Sequence, residues 1–321
     1  MMNRKWLMVF VLVLAAFGVA RVAVAEPLKI SMPTWVGNGP LFLAQEKGFY
    51  KDEGVEVELS IMDDISMRFA ALYAGQLDGM STAMAAFILN AKEGAPAKVV
   101  LMLDDSKGGD GIVANKDIQT IKDLKGRKVA FKQASISEWF LGYLLRRDGL
   151  TMSDIQVVNM EPGAAGTAFI AGKVDAAVTW EPYLTKGKQA PHGHLLIDTS
   201  QTPGLISDVL IFSDKVVRER KDDVQKVCRA VARAVDYWKE HPEEANALMA
   251  QAIGGWLKDP QAFAETLQGI QYYDREMNKA SFPEKVEKMI ADRIAVWREL
   301  GKLGWEPKAQ DMYDASFAAG L

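Results

Sequence analysis

Apolar and polar positions alternate with a period of two over Leu28–Met32, then switch to a helical spacing over residues 39–47 that Gly48 stops. The same two periods continue down the chain. They predict a strand over 55–61, a helix over 67–73 ended by Gly75, a strand over 77–81, a helix over 82–92 and a strand over 99–103. A second series follows. It has a strand over Lys128–Phe131, a helix over 137–147 stopped near Gly149, a strand over 155–160, a helix over 164–171 and a strand over 174–179. Beyond Thr202 the texture changes. One more strand is predicted over 208–212. Long helical patterns then run over 222–240, 242–252, 260–270 and 282–300, with start signals such as Pro242-Glu243-Glu244 and Pro260.

The two series resemble each other in detail. Residues 74–82 (AGQLDGMST) align with 171–179 (AGKVDAAVT). In each, a glycine ends a helix, an Asp precedes a strand and a Thr closes it. Two βα lobes of similar construction are predicted, with residues 26–107 plus 208–321 in the first and 108–207 in the second. The helical tail is too polar for a large core of its own and is expected to pack back on the first lobe. The crossovers fall near 106–112 and 202–208, where Gly, Ser, Thr and Pro gather. Two short crossing segments make a hinge that lets lobes close on what lies between them.

The N-terminus reads as an address. Arg4 and Lys5 precede an uncharged run over 6–20, too short to span a bilayer comfortably, and Ala23-Val24-Ala25 gives an A-x-A cleavage site. Release after Ala25 and a periplasmic location are expected, with no membrane insertion afterwards. That cleavage takes away Arg4, Lys5 and Arg21 and no acid, leaving 35 basic and 42 acidic side chains, a net charge of −7. An acidic exported chain without a basic stripe is a poor partner for nucleic acid. The lone Cys228 excludes an intramolecular disulfide and sits in an amphipathic helical pattern, as a core thiol would.

In open α/β sheets ligands sit outside the carboxyl ends of the strands, so the loops that follow strands carry the candidate chemistry. Residues 33–40 supply Thr34, Trp35 and Asn38, with glycines that allow close backbone approach and N–H groups that face an anion. Ser81 and Thr82 begin a helix, as caps or as donors to a ligand oxygen. Ser135 and Ser137 do the same in the second lobe. There Glu138 reads as a partner of the helix dipole, and Trp139 as core or site. Trp180 and Glu181 follow another strand, and an acid between aromatics suits a ligand ammonium or guanidinium. Asp105 and Asp110, beside Asp104 at the first crossover, form either a cation-selective wall or a solvated hinge. Asp208 approaches from the return crossover.

Motifs of nucleophilic, nucleotide-binding or zinc-hydrolase sites are missing from the sequence. His192 and His194 form an HxH pair without a nearby Cys or a suitably spaced carboxylate. No metal or cofactor is expected.

Gly39-Pro40-Leu41-Phe42-Leu43-Ala44, Glu46-Lys47-Gly48-Phe49-Tyr50, residues 121–129 and residues 169–183 together resemble the nitrate/sulfonate/taurine-type periplasmic binding proteins of ABC importers. The resemblance runs over about residues 30–249. It implies an α/β, two-lobed class II periplasmic-binding-protein fold with two hinge crossovers and a C-terminal helical extension, and a site between the lobes. A thiamine-pyrimidine synthase branch of the wider group looks to need a Cys-rich motif and an active-site His, which one helical Cys does not supply. A non-enzymatic, monomeric solute receptor that docks on an inner-membrane permease is therefore expected. The alternatives are a sensor domain that presents its solute to a membrane receptor, and an enzyme on the same scaffold.

The resemblance leaves the solute open. The candidate loops carry Asp104, Asp105, Asp110, Glu181 and Asp208 against Lys107 and Lys132. An unpaired charge taken out of water costs several kcal/mol. The solute is therefore expected to have a positive end, either as a zwitterion such as taurine or as an amine- or guanidine-type cation, rather than to be nitrate.

Overall fold

The computed structural model describes residues 26–91 and 97–321. The predicted leader at 1–25 and the last residue of the helix predicted over 82–92 lie outside the described residues. The first strands and helices are β1 (Leu28–Met32), α1 (Gly39–Glu46), α2 (Phe49–Asp52), β2 (Val57–Ile61), α3 (Ile65–Tyr73), β3 (Gly79–Ala83), α4 (Met84–Asn90) and β4 (Ala97–Ser106). Then come β5 (Asp110–Asn115), β6 (Lys128–Phe131), α5 (Ile136–Arg147), β7 (Gln156–Asn159), α6 (Pro162–Ile170), β8 (Ala176–Trp180), α7 (Tyr183–Gln189), β9 (Gly193–Asp198) and β10 (Ser207–Ser213). The chain ends with α8 (Asp214–Glu219), α9 (Lys221–Glu240), α10 (Pro242–Ile253), α11 (Pro260–Leu267), β11 (Ile270–Tyr272), α12 (Arg275–Ser281), α13 (Glu284–Glu299) and α14 (Ser316–Ala319).

Two sheets organise these elements. One has the order β11-β4-β10-β3-β1-β2, the other β7-β6-β8-β5-β9. The chain passes between them twice, through 107–109 and through 199–206. Side chains alternate across the first sheet as strand geometry requires. Leu210 and Phe212 of β10 enter the layer under α1, α9 and α10, while Val209 and Ile211 enter the layer under α3, α4 and α13. The second sheet does the same, with Val129 and Phe131 toward α5 and Ala130 toward α6 and α7. The tail helices thus complete the first lobe on both faces.

The repeated sequence is repeated geometry. Gly75 and Gly172 both turn the chain at positive φ, 71° and 68°. The carboxylate of Asp78 accepts the Lys29 N–H at 2.8 Å, and that of Asp175 accepts the Lys128 N–H at 2.8 Å. Each Asp therefore pins its strand beside its parallel neighbour, β3 on β1 and β8 on β6.

Three strands were not predicted. β5 begins at Asp110-Gly111 in what reads as a glycine-rich crossover, and it is buried on both faces, so it shows no alternation. β9, the edge strand, carries the unbroken run Leu195-Leu196-Ile197, where its register against β5 shifts, so it shows no alternation either. β11 is three residues long, and the helix predicted over 260–270 stops at Leu267 before it.

Candidate functional site

The strand ends converge where the lobes meet. Asp104, near the end of β4, is the registered partner of Asp208 at the start of β10. Asp208 also lies opposite Ala83, so Thr82 and Ala83 stand beside it on β3. In the second sheet Asp110 begins β5 directly opposite Trp180, which ends β8. Trp35, from the loop after β1, meets Trp180 across the gap, with ring centroids 6.3 Å apart and planes inclined at 56°.

All of these but Asp104, which stands behind Trp35, border a narrow cavity of about 80 Å³. From the first lobe its wall takes Pro33, Trp35, Asp63, Ile65, Arg68, Thr82, Ala83, Ala86 and Asp208. From the second lobe and the return crossover it takes Asp110, Lys132, Ser135, Ile136, Glu161, Pro162, Trp180 and Ile206. A wider opening of about 740 Å³ shares Pro33, Asp63, Glu161, Pro162 and Trp180 with it and continues past Thr34, Asp64 and Tyr183.

The electrostatics are unusual. Burial, and then the facing Asp208, push the Asp104 carboxyl well above the usual carboxylate range, while the Trp35 indole N–H, 3.4 Å from Asp104 Oδ1, opposes the shift. Burial and then Asp110 raise Asp208 to about 7, against the pull of Arg68. Burial raises Asp110 to about 6, with the Ser106 hydroxyl opposing. Among the described residues none of the three makes an ion pair with a Lys or Arg. Asp104 Oδ2 and Thr82 Oγ1 are buried with no hydrogen-bond partner there. The Asp104 oxygen points at the backbone of Gly37, where a Cβ would stand 2.0 Å from it.

Arg68 is the buried cation of the wall. Its Nη1 donates to the Ser81 carbonyl at 2.6 Å, and burial lowers its pKa to about 10 against the nearby acids, Asp208 first. Lys132 is paired with Glu161 at 2.6 Å. The wall therefore holds Asp63, Asp110, Glu161 and Asp208 against two cations.

Six of the expected site residues line the cavity: Trp35, Thr82, Asp110, Ser135, Trp180 and Asp208. The other six lie outside its wall, and each has a polar atom bonded within the protein. Thr34 donates its N–H to Asp63 at 2.7 Å. Ser81 donates its hydroxyl to Asn38 at 2.5 Å. Asp105 accepts the hydroxyls of Ser207 and Tyr273, at 2.5 and 2.9 Å. The Ser137 N–H donates to Ser135 Oγ at 3.1 Å, which caps α5. Glu181, expected to hold a ligand cation, accepts the Thr185 N–H at 3.1 Å and its hydroxyl at 2.9 Å. Nor is the α1 start open to an anion, since Met249 Sδ and Tyr272 Oη lie 2.5 and 2.8 Å from where a Gly39 Cβ would stand. Trp139 is core, stacked on Tyr143.

Arg68, Asp63 and Glu161 were not among the residues singled out from sequence. Arg68 had a signal, a single charge within the otherwise uncharged α3 sequence ISMRFAALY. Asp63 and Glu161 follow β2 and β7 by two residues each, in loops too short to show a motif.

The chain belongs to the NMT1/THI5-like family, matched over residues 36–245. It is 30% identical over 212 residues to a putative aliphatic sulfonates-binding protein of Bacillus subtilis (strain 168), a match that spans 64% of each chain. It is 22% identical over 304 residues to the taurine-binding periplasmic protein of Escherichia coli (strain K12), covering 87% of this chain and 89% of that one. Its fold is that of the periplasmic aliphatic sulphonate binding protein SsuA of Escherichia coli, with a TM-score of 0.74 at 21% identity over 90% of this chain and 92% of that one. This is the two-lobed class II periplasmic-binding-protein fold, with a C-terminal helical extension.

Proposed function

We propose that this NMT1/THI5-like chain is the exported receptor of an ABC importer, and that it captures a small solute with a positively charged head between its lobes. Family membership and relatives that bind aliphatic sulfonates and taurine support the receptor role. The lobes, 26–107 with 208–321 and 108–207, would close about the two crossovers and deliver the solute to a membrane permease. Among the described residues no helix is long and apolar enough to cross a membrane.

The observation that carries the solute's charge is the group Asp104, Asp110 and Asp208, the first two buried and the third half-buried, with no ion pair to a Lys or Arg among the described residues. The three acids repel one another in the ionised state, and an ammonium or guanidinium at Asp110 and Asp208 would replace repulsion by charge-assisted hydrogen bonds. Trp35 and Trp180 add aromatic faces to the same end, where a cation gains further attraction. Ile65, Ala86, Ile136 and Ile206 give the rest of the wall an apolar surface for a short hydrocarbon body. A zwitterion such as taurine fits if its anionic end reaches Arg68. Nitrate has no positive end to offer the carboxylates.

Thermal shift and calorimetry of the purified protein against butylamine, butylguanidine, taurine, methanesulfonate and nitrate test this reading. A solute at about 100 times its dissociation constant adds ~2.7 kcal/mol of stability. Binding of taurine or either cation without nitrate is expected. Binding of nitrate or methanesulfonate alone would keep the receptor role and overturn the assignment of the acids.

A further inference from the structure

Lys132, Ser135 and Ile136 reach the cavity from one tight turn between β6 and α5. Its second residue after Lys132, Ala134, has φ +54°, and among the described residues no other non-glycine residue has positive φ. A residue with a Cβ occupies that region at a steric cost, so something must hold it there. The restraint is visible. The Ala134 N–H donates to Glu138 Oε2 at 2.7 Å, and Glu138 Oε1 pairs with Lys302 Nζ at 2.8 Å. The Glu138 side chain is 3% exposed and that of Lys302 37%.

Lys302 does not belong to the second lobe. It follows α13, which is anchored in the first lobe by Trp297, whose indole N–H donates to the Ala85 carbonyl at 2.7 Å. The contact between α13 and α5 is close. A Cβ on Gly142 would stand 3.0 Å from Leu300, and Arg146 pairs with Glu299. The strained turn is therefore braced from the opposite lobe, by a pair that does not line the cavity.

We infer that Glu138 and Lys302 are positioning residues, which hold the 132–136 turn in the shape that presents Lys132, Ser135 and Ile136 to the solute. This rests on the cavity being the solute site. Without Lys302, Glu138 is a buried carboxylate with no cation. An unpaired buried charge is costly, so the side chain turns toward water. Its hold on the Ala134 N–H then weakens and the turn relaxes toward negative φ.

Hydrogen exchange on the solute-free protein reads the turn directly, whatever the solute proves to be. In Lys302→Met the Ala134 amide is expected to exchange about tenfold faster, with the amides of β6 and β8 unchanged. Lys302→Arg should restore the slow rate. Adding Ala134→Gly to Lys302→Met should restore the turn, since glycine occupies that φ without a restraint. The turn is then read from the chemical shifts of residues 132–136 and from butylguanidine affinity, which should fall about tenfold in Lys302→Met and recover in the double variant. An unchanged Ala134 rate in Lys302→Met, or faster exchange spread over the whole chain, would overturn the inference. So would an Ala134→Gly change that restores neither shifts nor affinity. If the unmodified protein ignores butylguanidine, the reading of the solute fails while exchange rates and shifts still decide the role of the pair.

Discussion

Asp104 and Asp208 stand opposite one another as registered partners on the antiparallel strands β4 and β10, Asp104 buried and Asp208 half-buried. Like charges at directly opposed positions destabilise a strand pair. A sheet selected for stability alone would not place them there. The pair costs the solute-free protein stability, which a cation bound as proposed would return.

The sign of the pH dependence follows. Asp208 and Asp110 titrate in the fold at about 7 and about 6, above an unfolded value of about 3.9. Their contribution to stability is full below the unfolded value and drains away as pH rises through 6 and 7. The melting temperature of the solute-free protein should therefore fall between about pH 5 and pH 8 on their account, and Asp208→Asn should flatten that fall and melt higher at pH 8. The lowered acids Asp123, Asp154 and Glu244 complete their titration at lower pH. A melting temperature that rises across this window, and is indifferent to Asp208→Asn, would show that the acids are not held as described.

Cation binding should carry the opposite slope. A positive head favours the ionised carboxylates, so affinity for butylguanidine should strengthen on the order of tenfold between pH 5.5 and 8, with protons released on binding. Calorimetry in two buffers of different ionisation enthalpy measures that release. Proton uptake would contradict the assignment.

Trp180→Ala removes one of the two facing rings. Aromatic attraction for a desolvated cation is about 1–2 kcal/mol, so affinity for a cationic solute should drop roughly 5- to 30-fold. Circular dichroism should show the fold retained. Unchanged affinity in titration calorimetry would take Trp180 out of the site.

Gly37→Ala tests the backing of the acid group. The new methyl would stand 2.0 Å from Asp104 Oδ2 and 2.4 Å from Trp35 Nε1. Overpacking at such a point costs about 1–3 kcal/mol. Both melting temperature and solute affinity should fall, because Trp35 and Asp104 must separate. A neutral outcome in both assays would mean that the loop shifts without cost.

Glu181→Ala should leave affinity within about twofold and lower stability by about 1 kcal/mol, the worth of a helix-start bond of this type. A loss of binding without a loss of stability would return Glu181 to the site.

The elements that follow strict periods were legible, from β1 and α1 through the long tail helices. So was the repeat, since Asp78 and Asp175 mark it in sequence and make the same bond in space. Half of the residues expected at the site line the cavity, because it lies where strands end. The misses share a cause. Strands buried on both faces, such as β5, lose the alternation that announces them. A polar residue at a strand end looks the same whether it lines the cavity unbonded, as Thr82 does, or bonds a neighbouring backbone, as Glu181 does. Partners such as Tyr273 for Asp105 lie 168 residues away, and no local pattern reveals them.

β10 lies between β3 and β4 in the first sheet, yet it is made about a hundred residues after either. This imposes an order on the chain as it emerges. The second lobe, built from the continuous stretch β5 to β9, can be finished while β3 and β4 still lack the strand that joins them. The first lobe closes only when β10 arrives, and α13 can brace the turn beside the cavity only later still. Until then, edges and apolar faces of the first lobe stand uncovered, the form in which a nascent chain is most prone to associate with its neighbours.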